Sequence, residues 1–316
     1  MNPVRHYIVR RLLGAVPVLL GISLLAFVLA LLSPGDPAEI MLEAAGTGMP
    51  SAEEVAALHS YLGLDQPPYV QYGLWLWRIL HGDGGISYHL GMPVFTVLLA
   101  RLPVTVMLAA ASLCWAAVGG IGLGLLMARM RGTWAAMLLH GVTQVMLATP
   151  SFLTAIFLIL IFGVWLHVLP TNGVDSAAGY LLPSFALALV TLAMTAQLLD
   201  SQLREALASL YAQTARLRGI SEGRVLLTYA LPNALVPVTA MLGNFAAAVL
   251  GGAIIVETVF ALPGIGSLAL DAIHYRDYPL LQGYVLFLGG IYVLVTLAVD
   301  LVLARMDPRI VLGGGD

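Results

Sequence analysis

Six long stretches of nearly unbroken apolar residues alternate with polar connections along the chain. They run from about Leu12 to Leu32, Leu102 to Met127, Ala135 to Phe162, Tyr180 to Leu199, Leu235 to Val256 and Leu280 to Leu303. Each reaches the ~20 apolar residues that a helix needs to cross a bilayer. The third is interrupted by Pro150. The expected fold is all-α and polytopic, with six transmembrane helices. The first stretch has the basic flank of a signal peptide in Arg5, Arg10 and Arg11. Its apolar core exceeds the about 7–15 residues of such a signal, and no small-x-small site precedes Ser33, so it is expected to remain as a span.

The connections are unequal. Residues 1–32 form an N-terminal segment with the first span, 33–97 a large polar loop, and 98–316 a core with five spans and an inner loop at 200–234. In the first loop, Ser51 and Glu54 read as a capping box that opens a short helix, with Val55, Leu58 and Leu62 on one face. Pro67-Pro68 breaks the chain. The stretch YVQYGLWLWRIL that follows carries Tyr72, Trp75 and Trp77, aromatics that favour a membrane interface. About 65 residues is marginal for an independent core, so this loop is expected to pack on the spans. Gly120 and Gly124 form a GxxxG pair, which lets helices approach closely; packing within the bundle is the simpler expectation than a dimer contact.

Composition agrees with lipid as solvent. The chain is 60% hydrophobic and 10% charged, against about 45–50% and about 25% for soluble domains. Cys114, the one cysteine, lies in an apolar run, is expected to pack there, and excludes a disulfide within the chain. All 14 basic residues are arginines. With the N-terminus inside, inner segments hold Arg5, Arg10, Arg11, Arg129, Arg131, Arg204, Arg216, Arg218, Arg224, Arg305 and Arg309. The outer side holds Arg78, Arg101 and Arg276. That 11-to-3 bias places both termini in the cytoplasm. The first loop is then extracytoplasmic and largely acidic, with Asp36, Glu39, Glu43, Glu53, Glu54, Asp65 and Asp83.

The inner loop, about Asp200 to Ala234, is longer than a simple chain reversal needs. Ala215 is small enough for a partner surface to come close. Gly219 allows a sharp bend between two short helices, and Pro232 suits the start of a new helix. Gln213-Thr214-Ala215, then Gly219, then Leu231-Pro232 resembles the EAA signature of ABC import permeases. Gln213, Thr214 and Tyr229 depart from it. The blocks RRLLGAVPVLLGISLLAFVL, SPGDPA, LGLDQPPYVQY, GISY, GGAIIVETVFALPGIGSLALDAIHYRDYPLLQG and VDLVLARMDPRI follow in order along nearly the whole chain. In them the sequence is similar to the nickel/dipeptide/oligopeptide permease family, and WLW and ARLRG lean toward its nickel branch.

The resemblance implies a multi-pass protein of the bacterial inner membrane that works with a second homologous permease, two ATPase subunits and a periplasmic solute-binding protein. It implies that the inner loop, with Gln213, Thr214, Ala215, Arg216, Arg218, Gly219, Leu231 and Pro232, docks on an ATPase. ATP and magnesium belong to the partner subunits; no cofactor, metal or catalytic residue is expected in this chain, and no nucleic-acid partner. Peptides, nickel as a chelate and other metal–chelator complexes remain open as the solute.

Other classes fit less well. Gly219-Ile-Ser-Glu-Gly223 matches a hydrolase pattern, but it lies between helical segments and lacks the strand-turn-helix context; Ser221 is expected to open a short helix. A Walker A loop needs a lysine, and the chain has none. An ATP-independent channel or secondary transporter is the alternative. Ion-coupled carriers hold charges inside their spans; here Asp200, Glu257, His140 and Asp300 fall at or toward span ends. His59, His81, His89, His167 and His274 show no metal-ligand spacing, His81 and His89 being the nearest to candidates.

Overall fold

The computed structural model describes residues 3–44, 50–173 and 176–306. Among them the regular structure is helical, apart from an isolated β-bridge between Ile86 and Pro93. The elements in order are α1 (Pro3–Leu31), α2 (Pro37–Ala44), α3 (Ala52–Leu62), α4 (Pro68–Leu80), α5 (Val94–Arg129), α6 (Trp134–Ala148), α7 (Ser151–Trp165) and α8 (Leu181–Ala208). They continue with α9 (Leu210–Leu217), α10 (Glu222–Leu250), α11 (Ile254–Val259), α12 (Ile265–His274) and α13 (Tyr278–Met306).

Five helical runs are long and apolar enough to span: Tyr7–Leu31, Val94–Arg129, Ala177–Ala208, Glu222–Leu250 and Tyr278–Arg305. The third predicted span is instead a broken pair, α6 and α7, bent by 103°. Pro150 has no N–H and pushes the residue before it out of helical geometry. Thr149 (φ −91°, ψ 118°) and Pro150 (φ −61°, ψ 144°) are accordingly extended. Each leg alone is ~22 Å at 1.5 Å per residue, short of a ~30 Å hydrocarbon core, so only the two legs together have the length of a crossing.

Predicted and observed ends differ most around the inner loop. The fourth span continues nine residues past Leu199, to Ala208, and the fifth begins at Glu222 rather than near Leu235. Apolar runs stop where a bilayer stops; helices continue. Pro232 does sit in the first turn of an α-helical stretch, Leu231–Gly252, as its type suggests, but that stretch continues a helix already under way. It lies inside α10, directly after a π-helical turn at Val225–Ala230. There Leu231 N donates five residues back to the Leu226 carbonyl, so the register shifts where proline has no hydrogen to give. The Asn233 side chain donates to the Tyr229 carbonyl at 2.8 Å.

The described residues fall into two compact units. In one, made of Ile8–Thr105 and Pro263–Val293, Val94, Leu98, Ile265, Leu268 and Leu280 form a buried core, and Thr105 Oγ1 accepts from Ile265 N at 2.9 Å. The expected capping box is present: Ser51 Oγ accepts from Glu54 N at 3.3 Å and Glu54 accepts from Ser51 N at 2.9 Å.

The other unit is chiefly Val106–Leu262, with the end of α13. Its axis is α8. Half of the most apolar window there is buried by the chain itself, against 28% or less in the other spans. The GxxxG pair explains part of this. A Cβ on Gly120 would meet Thr195 at 2.5 Å, and one on Gly124 would meet the Ala196 carbonyl at 2.8 Å. The pair is thus consumed inside the chain, against α8. Cys114, in contrast to the expectation, is exposed: α5 buries Ala116 and Leu108 and turns the thiol outward. Arg309 lies outside the described residues.

Candidate coupling site

The link from α8 to α10 is a compact bend. Ser209 (φ −68°, ψ 158°) stops α8, and its hydroxyl donates to the Ala206 carbonyl. Helix α9 follows for eight residues. Gly219 then takes φ 75°, a left-handed conformation that only glycine adopts cheaply. Its N–H closes onto the Arg216 carbonyl at 2.9 Å, and Ile220 N onto the Ala215 carbonyl at 3.2 Å. Ser221 is extended, and α10 opens at Glu222.

Helix α9 has two unlike faces. Ala212 and Ala215 are buried with Val225, flanked by Leu207 and Ile220. Ala215 therefore faces its own chain and leaves no room for a partner, contrary to the reading from sequence. The opposite face carries Leu210 and Leu217, 82% and 89% exposed, with Gln213 and Thr214 between them. Spacings of three, four and seven put these four residues on one side of the helix. The two leucines escape sequence reasoning, because a leucine in a short amphipathic helix is read as its inner face.

Gln213 and Thr214 also bond within the bend: Gln213 Nε2 donates to the Ala208 carbonyl at 2.9 Å and Thr214 Oγ1 to the Leu210 carbonyl at 2.8 Å. Arg216 spans the bend. Its Nε and Nη2 donate to the two Glu222 carboxylate oxygens at 2.6 and 3.2 Å, and Nη1 to the Leu207 carbonyl at 2.9 Å. These hydrogen bonds hold the Glu222 carboxyl below its ordinary range and push the Arg216 guanidinium above its own. Arg218 is exposed. Leu231 is half-buried against the core of Leu199, Leu203 and Ala230, on which Leu207 also packs. Pro232 is exposed, one helical stretch away from α9.

A second constellation sits two turns before the end of α8. Asp200, 2% exposed, receives Arg131 Nη2 at 2.7 Å and Arg204 Nη2 at 3.1 Å, with His140 Nε2 at 3.6 Å. Arg131 also donates to the Asp200 carbonyl at 3.2 Å. One carboxylate thereby ties the turn after α5, helix α6 and helix α8. Only the Asp200/Arg204 pair, four apart on one helix, had a signature in the sequence.

In the other unit, buried Asp277 accepts from Ser87 Oγ at 2.5 Å, His89 N at 3.2 Å and Leu280 N at 3.2 Å. The His89 ring stacks on Tyr275 at 3.6 Å, and Tyr278 Oη donates to the Pro34 carbonyl at 3.2 Å. Burial, and then the nearby Asp277 charge, push Tyr88 up to about 12. Segments 33–36, 84–93 and 275–280 thus form one clasp. Other histidines of this unit are dispersed: His59 bonds Asp36 at 2.8 Å, and His81 Nδ1 donates to the Trp77 carbonyl at 2.8 Å.

Two family models match. Residues 120–312 match the binding-protein-dependent transport system inner membrane component, and residues 4–109 its N-terminal membrane component. A Brucella suis permease protein whose name refers to peptide transport is 39% identical over 311 residues, covering 96% of this chain and 98% of its own length. The glutathione transport system permease protein GsiC of Shigella flexneri is 35% identical over 305 residues, with the same coverage. Among solved structures, an inward-facing form of the MetNI methionine ABC transporter aligns with a TM-score of 0.56 at 16% identity, over 67% of this chain and 97% of that one; this likeness concerns the fold. The all-α spans and the two matched models together make this chain a member of the binding-protein-dependent inner-membrane family, a multi-pass permease component of an ABC importer.

Proposed function

We propose that this permease carries a small peptide, with glutathione-sized molecules in range, and that α9 is its contact with a separate ATPase. One observation carries the second part. The inner face of α9 is buried against its own chain, while Leu210 and Leu217 stand on the outer face, 82% and 89% exposed among the described residues. Two leucines held out on a braced, polar helix cost solubility unless a groove receives them. Gln213, Thr214 and Arg218 form the polar rim of that contact. Ala215, Arg216 and Gly219 shape the bend, and Leu231 and Pro232 link it to α10. The peptide assignment rests on the names of the relatives.

The full transporter then comprises this chain, a second homologous permease, two ATPases and a periplasmic binding protein. Both termini are cytoplasmic by the arginine bias, which leaves the 33–97 loop and the Asp277 clasp on the side where the binding protein arrives. ATP and magnesium stay with the ATPases. Changing Leu210 and Leu217 together to Asp tests this reading. Membrane levels should stay near normal, the ATPase should no longer co-purify, and peptide uptake should vanish. Wild-type uptake with the ATPase still attached would reject α9 as the contact, and uptake without ATP would favour a channel or secondary carrier.

A further inference from the structure

Helix α4 has two apolar faces, and among the described residues only one is packed against. Tyr72 and Trp75 pack on α1: ring centroids lie 5.4 Å and 5.9 Å from Phe27, and the Tyr72 and Ser23 hydroxyls are 2.8 Å apart. On the other side Tyr69, Gly73, Leu74, Trp77 and Leu80 recur at helical spacing and are exposed. Trp77 is 63% and Leu80 73% exposed. The polar edge between the faces is narrow. It consists of Gln71, bonded to the Leu64 and Gln66 carbonyls, and Arg78.

The contact with α1 fixes the depth of α4. Phe27 and Ser23 lie inside the Tyr7–Leu31 span, four and eight residues before its end. At 1.5 Å per residue they are about 6 and 12 Å below that end, within the thickness of a bilayer with its headgroups. Beside them on α1, Leu20, Leu24 and Leu31 are also exposed, so the apolar surface of the span continues next to the α4 contact.

The ends of α4 are built for a place without water. A helix normally leaves its first N–H and last C=O groups to solvent, which lipid does not satisfy. Pro67 and Pro68 remove two of the donors at the start. At the end, the Trp77 carbonyl accepts from His81 N and His81 Nδ1, the Arg78 carbonyl from Asp83 N at 2.9 Å, and the Ile79 carbonyl from Gly82 N at 3.0 Å.

We propose that α4 is a monotopic helix: its Tyr69–Leu74–Trp77–Leu80 face lies in the acyl and headgroup boundary of the leaflet at the C-terminal end of α1, so that its partner is lipid rather than protein. The assembled transporter in phosphatidylcholine nanodiscs provides the test. In a Cys114→Ala background, nitroxide labels are attached singly at Tyr69→Cys, Leu74→Cys, Trp77→Cys and Leu80→Cys, with Leu24→Cys as the lipid reference. All four should collide with oxygen several-fold more than with a water-soluble nickel chelate, as Leu24→Cys does. Higher nickel collision at these sites would mean water and would overturn the proposal. Low collision with both reagents would mean a covering protein and would overturn it equally. Should a labelled variant fail to assemble, the unlabelled transporter still decides. Lipids brominated near the headgroup should quench tryptophan emission, and Trp77→Phe should remove a distinct part of that quenching; an unchanged quenched fraction would also refute it.

Discussion

Arg216 and Glu222 close the bend between α8 and α10 with two parallel hydrogen bonds, 2.6 and 3.2 Å long. They are six positions apart, and Gly219 turns the chain between them. The same arginine holds the Leu207 carbonyl at the end of α8. Arg216 is therefore engaged inside the loop, while Arg218 and Arg224 are exposed.

This brace is pH-dependent, and its sign follows from the Glu222 shift. The carboxyl is held below its ordinary value by Arg216, so its contribution is present at neutral pH and is lost as pH falls through the lowered folded value. Amide exchange of residues 210–224, corrected for intrinsic rates, should rise as pH falls below the ordinary glutamate range. Glu222→Gln should show the faster exchange already at pH 7 and flatten the pH response. Equal exchange in Glu222→Gln and wild type across the range would remove the brace from the account.

Ala215 and Leu217 separate folding of the loop from docking. An Asp at 215 enters the pocket of Ala212 and Val225, where an unpaired buried charge costs several kcal/mol. Gly219→Val strains a φ of 75° by ~1–2 kcal/mol. Both should open the loop to protease and lower ATPase co-purification together. Leu217→Asp changes a side chain with 89% exposure, so it should leave protease resistance intact and lose only the ATPase. If Ala215→Asp kept a protease-resistant loop, the inward packing of α9 would be wrong.

Ala215 also marks where sequence reading stops. The motif located the bend, and Gly219 has the positive φ that its type suggests. Which way Ala215 faces was not legible, because an alanine suits a tight internal contact and a tight interface equally. Six apolar runs were legible because lipid demands about 20 residues of each. The break at Pro150 was visible as a proline, yet its 103° angle depends on Thr149 being forced extended. The ends of α8 and α10 were hidden for the opposite reason: beyond the membrane, hydrogen bonding continues a helix with no apolar signal to mark it. Arg131 and His140 reach Asp200 from 69 and 60 positions away, a pairing that no local pattern encodes.

The broken pair sets the topology. If α6 and α7 together cross once, the 33–97 loop and the α9 bend lie on opposite sides. A reporter active only outside the cytoplasm should then work when fused after Asp65 and stay silent at Arg218. Activity at both positions would make the pair a re-entrant hairpin and undo the placement of α9 beside an ATPase.

Asp200 offers the sharpest stability test. The carboxylate is buried and meets two arginines and a histidine, each of which keeps some contact with water. Removing its charge by Asp200→Asn leaves Arg131 without its 2.7 Å partner and breaks the tie between the α5–α6 turn and α8. The charge removed is the buried one and the arginines can turn toward water, so the loss is that of charge-assisted hydrogen bonds, about 1.5–3 kcal/mol. Arg204 is 64% exposed and four residues along the same helix, so Arg204→Gln should cost under about 1 kcal/mol. Thermal unfolding in detergent should rank both Asp200→Asn and Arg131→Gln below Arg204→Gln. Combining Asp200→Asn with Arg131→Gln should cost less than the sum of the two, since each already breaks their shared contact. Additive losses would mean that Asp200 and Arg131 act independently and that the carboxylate does not join these elements.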